Sequence, residues 1–140
     1  ALGTNDLFAE ADRKPQDTVN AMRSLVKVTR DLPTAQGSSV PNTSPPRVMI
    51  VAPPNCLPLP AVTGKGFPEL DKLTRWLPEL AKLYGELAIE QNTYFADAAQ
   101  LCEADPVDGL HLDVENTRKL GVGIAKELTL KRFARLIKNE

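Results

Sequence analysis

The only histidine of the 140-residue chain, His111, follows Asp108 by three positions in the stretch Asp108-Gly109-Leu110-His111. A turn over this Asp-x-x-His spacing brings the carboxylate beside the imidazole, where it can accept the Nδ1 proton and leave Nε2 free as a general base. The same spacing is also typical of a loop histidine held by a local aspartate ahead of a helix. Taken alone, the motif is therefore only a hypothesis of catalysis.

A second polar cluster, Gly3-Thr4-Asn5-Asp6, lies near the other end of the chain, after the apolar pair Ala1-Leu2. We interpret Ala1-Leu2 as the end of a buried strand that delivers this cluster to the edge of a sheet. The Asn5 amide can donate to a developing oxyanion, or Asn5 can be a turn residue bonded to nearby backbone. Asp6 is expected to brace the loop rather than to react.

These two motifs, about a hundred residues apart, enclose the apolar run 48–54, which ends in a proline pair. Gly-x-Asn-Asp near one end and Asp-x-x-His before a last helix, with such a strand between them, resemble the SGNH (GDSL) hydrolases. The apolar run is similar to the corresponding strand of the arylesterase and acyltransferase branch. The resemblance covers nearly the whole chain in the right order.

The resemblance implies serine-dependent hydrolysis, or acyl transfer, of a small-molecule carboxylic ester. His111 would be the base, and Asp108 would orient it. Asn5 would stand in the oxyanion hole, and Gly3 would let the backbone come close to the site. The fold implied is a three-layer α/β/α flavodoxin-like sandwich with a parallel sheet.

One departure from the family pattern is the absence of any Gly-Asp-Ser, the segment that supplies the nucleophilic serine. We therefore expect residues 1–140 to be the C-terminal portion of a single hydrolase domain, with the serine on an N-terminal segment of the same protein. Without that segment the chain should be inactive and not stably monomeric, because a sheet edge would be bare. The alternative is a non-catalytic α/β binding module that shares the hydrolase scaffold.

The hydrophobic spacing predicts helices over 15–31, 69–91 and 114–138, and strands over 47–52 and 93–97. Strands that alternate with helices favour the α/β class with a mainly parallel sheet. Residues 33–46 and 53–68 are expected to be loops. The second of these is rich in proline and forms either a wall of the substrate pocket or a surface connection.

The predicted helices carry apolar stripes that should face the core. Pro78 should kink the second helix or mark a restart, and Asp113 should be the N-cap of the last one. In the helix over 15–31 the predicted core positions are Val19, Met22, Leu25 and Val26. In the helix over 69–91 they are Leu70, Leu73, Leu77, Leu80, Leu83, Leu87 and Ile89, with Trp76 beside them. In the helix over 114–138 the residues expected to face the sheet are Leu120, Ile124, Leu128 and Phe133.

Composition limits the other function classes. The formal net charge is −1, from 17 basic and 18 acidic residues, and aromatic residues make up 5%, which does not suggest a nucleic-acid partner. No apolar run approaches the roughly 20 residues that span a membrane. Cys56 and Cys102 are predicted to be free, partly buried thiols. We predict no metal or other cofactor, since zinc ligands, a P-loop and a dinucleotide fingerprint are all lacking. A homo-oligomer is left open.

Overall fold

The computed structural model describes residues 2–9, 12–31 and 46–138, with Ala9 and residues 131–138 as backbone only. The elements follow in the order α1 (Thr4–Ala9), α2 (Pro15–Asp31), β1 (Met49–Ala52), α3 (Leu70–Glu90), β2 (Tyr94–Asp97) and α4 (Val114–Lys138). A short 3-10 turn follows β1 at Leu59–Ala61, and another follows β2 at Ala98–Gln100. The predicted loop over 33–46 falls almost wholly outside the described residues, and so does the side chain of Phe133.

The two strands form a parallel pair in which Ile50 lies opposite Phe95 and Ala52 opposite Asp97. Ile50 and Ala52 are buried, as expected for a strand covered by helices. The long helix α3 supplies the crossover between them and packs on both strands. An α/β fold with a parallel sheet is therefore confirmed.

The core forms where α3 meets α1, α2 and the strands. Val19, Met22 and Val26 of α2 are buried as the spacing predicts, whereas Leu25 is 50% exposed. It lies off the stripe because the other three recur at three- and four-residue intervals. On α3 the buried residues are Leu70, Leu73, Leu77, Leu80, Ala81, Tyr84, Leu87 and Ala88.

One core position predicted on α3 was wrong. Ile89 is 84% exposed, because it lies in the last turn and off the buried stripe. Of the two alternatives predicted at Pro78, a kink or a restart, the restart does not occur, because α3 runs from Leu70 to Glu90 as one helix. Pro78 is exposed, so the amide it lacks is missing on the solvent side of the helix. Trp76 and Leu83 are partly buried against the core.

The last helix begins where predicted, with Asp113 as its cap. Asp113 Oδ1 accepts the amide of Asn116 at 2.6 Å. The expectation that its apolar stripe faces the sheet was wrong, because the described part of α4 makes no extended contact with either strand. Leu120 and Ile124 are only partly buried, and Leu128 is 43% exposed.

The N-terminal segment also differs from the expectation. Leu2 is exposed and does not lie in a strand, and the residues from Thr4 onward form the helix α1 rather than an irregular turn. The helix is only six residues long, and Leu7 anchors it because its side chain is fully buried. The carbonyl of Gly3 accepts the amide of Leu7 at 3.1 Å and so closes the first turn.

Candidate functional site

The side chains of Asp108 and His111 are hydrogen-bonded at the carboxyl edge of the parallel pair, on the loop that follows β2. Asp108 Oδ2 lies 2.7 Å from His111 Nδ1. The His111 side chain is 70% exposed, and that of Asp108 is 27% exposed. Most of the His111 side chain is therefore open to solvent.

The second carboxylate oxygen of Asp108 holds the turn itself. Oδ1 accepts the amides of Leu110 at 2.8 Å and of His111 at 2.9 Å. The hydrogen bond with the His111 ring, followed by these amides, lowers the pKa of Asp108 to about 2. An ionised carboxylate can only accept, so the proton between the two side chains belongs to Nδ1 and the lone pair of neutral His111 is on Nε2.

Gly109, between Asp108 and Leu110, was missed as a functional position. It is buried with φ +74°, a conformation that disfavours any residue with a Cβ. A Cβ there would lie 2.7 Å from Val62 Cγ2 and 3.3 Å from the carbonyl oxygen of Leu57. The turn can approach the chain that follows β1 only because this residue is glycine. Its place between the aspartate and the histidine was the available signal.

The proline-rich loop after β1 supports the histidine loop through backbone hydrogen bonds. The amide of Leu57 donates to the carbonyl of Gly109 at 2.8 Å. The amide of Thr63 donates to the carbonyl of Pro106 at 2.7 Å, and the amide of Gly64 donates to that of Val107 at 2.9 Å. The loop over 53–68 is thus more than a surface connection, since it holds the Asp108–His111 turn in place.

The Gly3 backbone is packed against two helices. It is buried with φ +120°, and a Cβ there would lie 2.7 Å from Leu80 Cδ2 and 3.2 Å from Thr18 Cγ2. The hydroxyl of Tyr84 lies 3.0 Å from the same position and donates to the carbonyl of Leu2 at 3.2 Å. Glycine is required here for close packing, and this fixes where α1 begins.

Asn5 lies in the first turn of α1 and is exposed. Its side-chain amide makes no hydrogen bond to any part of the chain that the structure describes, so it is not engaged in a local turn. The neighbouring Asp6 is paired with Arg13, with Oδ1 3.2 Å from Nη1. That contact fits the interpretation of Asp6 as a brace for the segment rather than a reactant.

An aromatic contact joins the two halves of the candidate site. The ring of Phe67, just before α3, and the His111 ring form an edge-to-face pair with 6.2 Å between ring centroids. The same Phe67 ring meets Phe8 of α1, with 5.4 Å between centroids. Asn5 and Phe8 are three residues apart on α1 and therefore share one face of it. Sequence reasoning gave Phe67 no role, because an isolated aromatic in a loop forms no pattern.

Both cysteines are free and buried, as predicted, and burial raises the pKa of the Cys56 thiol to about 11. No group of three or more His, Cys, Asp or Glu side chains comes together as a metal site within the described ranges. Among the helices described there, none combines the length and apolarity needed to cross a membrane.

The fold and the site together define an α/β protein with an Asp–His pair on a loop at the carboxyl end of parallel strands. The chain is similar to the M. smegmatis aryl esterase, with 31% identity and a TM-score of 0.74 over 91% of this chain and 57% of that one. It is 32% identical to a protein from Agrobacterium tumefaciens assigned as an arylesterase, with a TM-score of 0.71 and the same coverage.

A third solved structure is that of a carbohydrate acetylesterase, Est24, from Sinorhizobium meliloti. It shares 29% identity and a TM-score of 0.65 over 85% of this chain and 53% of that one. The resemblance to the SGNH-type aryl and carbohydrate acetylesterases is thereby confirmed, and the chain spans little more than half the length of these structures. No protein-family model and no curated protein matches the sequence.

Proposed function

We propose that this chain is the C-terminal portion of a single SGNH (GDSL) hydrolase domain, in which it provides the base and part of the oxyanion hole for cleavage of small carboxylic esters. The observation that carries the proposal is the 2.7 Å contact between His111 Nδ1 and Asp108 Oδ2. It leaves Nε2 as the free basic nitrogen of a side chain that is 70% exposed. The similarity to aryl and carbohydrate acetylesterases supports the reaction class.

The serine hydroxyl would come from a segment of the protein outside these 140 residues. His111 Nε2 takes the hydroxyl proton as Oγ attacks the ester carbonyl, and the imidazolium keeps its Nδ1 proton directed at Asp108. The proton on Nε2 then passes to the leaving alkoxide as the acyl-enzyme forms. Water, or an alcohol acceptor in the case of acyl transfer, repeats the sequence to release the acyl group.

Asn5 would stabilise the charge on the carbonyl oxygen through its side-chain NH2, which has no partner among the described residues. Such a donor accelerates the reaction because the charge develops on the oxygen only in the transition state. Gly3 supports this arrangement by fixing the start of α1 against α2 and α3. No cofactor is required for this chemistry.

The test is the turnover of p-nitrophenyl acetate by the complete protein and by its His111→Gln variant. We expect kcat to fall by about 10⁴-fold or more, because loss of the base removes proton transfer in both half-reactions. Thermal unfolding should change little, since the side chain of His111 is mostly exposed. Glu115→Gln, an exposed change in the first turn of α4, is the control and should keep full activity.

The alternative function, a non-catalytic binding module on the same scaffold, predicts a different result. The complete protein would then hydrolyse neither p-nitrophenyl acetate nor longer acyl esters, and a fluorophosphonate probe would label no serine in it. That pair of results would overturn the hydrolase proposal.

A further inference from the structure

Phe67 lies between α1, which carries Asn5, and the loop that carries Asp108 and His111, and it belongs to neither. Its ring makes an interplanar angle of 69° with the His111 imidazole and one of 85° with the Phe8 ring. Both are the edge-to-face geometry that aromatic pairs prefer, in which the positive edge of one ring meets the negative face of the other. The ring therefore has a defined orientation toward both neighbours.

The backbone around Phe67 is itself held firmly. Its carbonyl accepts the amide of Leu70 at 3.1 Å at the start of α3. The preceding Gly66 is tightly packed, since a Cβ there would lie 3.0 Å from Leu59 Cδ2 and 3.2 Å from Val62 Cγ1. Leu70 is fully buried in the core. The backbone that carries the Phe67 ring is thus held in place at the start of α3.

His111 needs such a support. Its only described hydrogen bond through the ring is the one from Nδ1 to Asp108. A single bond at one ring atom fixes the tautomer but leaves the ring free to swing about that contact. The side chain is 70% exposed, so general packing does little to restrain it. The Phe67 ring supplies a second contact, on the imidazole ring rather than at Nδ1.

We propose that Phe67 is a positioning residue that holds the His111 imidazole at a set distance from α1, and so from the Asn5 amide. The connection runs from Asn5 to Phe8 along one face of α1, from Phe8 to Phe67, and from Phe67 to His111. As far as catalysis is concerned, this inference rests on the proposed function. The part of the inference that concerns the orientation of the His111 ring does not depend on the proposed function.

The effect on turnover should be large for a residue that need not touch the reacting atoms. Base and oxyanion donor must act on the same tetrahedral centre, and a displacement of about 1 Å can cost about 100-fold in rate. Removing the Phe67 ring should lower kcat by roughly 10- to 100-fold, with little change in KM, because substrate binding does not require the base to be aligned.

The experiment compares three substitutions of Phe67 in the complete protein. Phe67→Ala removes the ring, Phe67→Leu keeps an apolar side chain without an aromatic ring, and Phe67→Tyr keeps the ring. We expect kcat to fall in the Ala and Leu variants and to be retained in the Tyr variant. Phe95→Ala is the matched control. Phe95 is also partly buried and packs on Gly85 of α3, so the control measures general destabilisation.

A second readout does not depend on catalysis. The Cε1–Hε1 signal of His111 is assigned by its disappearance in the spectrum of His111→Gln. It should shift and broaden in Phe67→Ala and Phe67→Leu, because the ring current is lost and the imidazole samples more orientations. It should remain unchanged in Phe95→Ala.

Two outcomes would overturn the proposal. One is a His111 signal that is unchanged in all Phe67 variants. The other is a change confined to KM and acyl preference, which would make Phe67 a wall of the substrate pocket. If the unsubstituted protein proves inactive on every ester, the proposed function fails, while the His111 signal still decides whether Phe67 orients the ring.

Discussion

The amide of Leu57 donates to the carbonyl of Gly109 at 2.8 Å, so the chain leaving β1 is bonded directly to the centre of the turn that carries the Asp–His pair. The approach is possible only because Gly109 has no side chain, since a Cβ would lie 3.3 Å from the Leu57 carbonyl oxygen and 2.7 Å from Val62. Two loops from two neighbouring strands thus form one support for His111.

On the proposed function, Gly109→Ala should destabilise the complete protein and lower its turnover of p-nitrophenyl acetate. A residue with a Cβ held at positive φ costs about 1–3 kcal/mol, and the contact with Val62 adds to this. Urea unfolding measures the loss of stability. Activity should fall further than stability predicts, because the displaced residue lies in the turn between Asp108 and His111.

Gly121→Ala is the matched control for that substitution. Gly121 lies within α4 and a Cβ there meets nothing within 4 Å. Alanine favours the helix by about 0.5–1 kcal/mol over glycine, so this variant should be slightly more stable. Equal effects at the two positions would contradict the role given to Gly109.

Asp108→Asn should lower kcat by about 10⁴-fold, because an amide can present its NH2 to Nδ1 and so favour the wrong tautomer of His111. The measurement is the rate of p-nitrophenyl acetate hydrolysis by the parent protein and by Asp108→Asn. Asp113→Asn is the control, since Asp113 accepts the Asn116 amide as an N-cap and asparagine caps a helix equally well. If Asp108→Asn remains within a few-fold of the parent, the pair is not a catalytic unit.

The stability of the protein in acid should carry the signature of Asp108. Its pKa is lowered from 3.8 to about 2 in the folded state, so its full contribution is present above about pH 4. As the pH falls from about 4 towards 2, the unfolded chain takes up the proton first, and the contribution is lost. The difference in unfolding free energy between the parent and Asp108→Asn should therefore narrow over that range.

Chemical unfolding at a series of pH values measures this difference. Glu90, whose pKa is also lowered to about 2 by its hydrogen bonds with Arg23, affects both proteins alike and cancels. A gap that stays constant from pH 5 to pH 2 would show that the carboxylate of Asp108 is not the group responsible.

Asn5→Ala should reduce kcat by about 100- to 1000-fold with little change in KM, the pattern of a contact made only in the transition state. The side chain is exposed and has no partner within the described ranges, so the melting temperature should hold. Steady-state kinetics together with a thermal melt distinguishes a role of Asn5 in the oxyanion hole from a role in folding. A lowered melting temperature with normal turnover would instead indicate a structural residue.

The sequence predicted the helices whose apolar residues recur regularly. It also predicted the contact between Asp108 and His111, which are close together in the chain. The predicted helix over 15–31 is α2, and the helix over 114–138 is α4, because Pro15 and Asp113 are clear start signals. The hydrogen bond between Asp108 and His111 spans three residues and could be derived from spacing alone. Leu25 and Ile89 were misplaced because they lie beside an apolar stripe rather than on it.

What could not be predicted depends on packing between distant segments. The helix α1 begins with Thr4, Asn5 and Asp6, which are typical of turns, and is held by the burial of Leu7. The support from Phe67 and from the proline-rich loop arises only when residues some forty or more positions apart come together. Local propensity contains no information on such contacts.

The Asp108–His111 contact joins residues only three positions apart, whereas the contact between Phe8 and Phe67 joins residues nearly sixty positions apart. Loop-closure entropy is small for the first and larger for the second, so the pair can form early and persist when the rest of the chain loosens. On heating, the contact that sets the distance between α1 and the imidazole should be lost before the Asp108–His111 hydrogen bond is. Thermal inactivation would then begin as a reversible, partial loss of alignment below the temperature at which the chain unfolds.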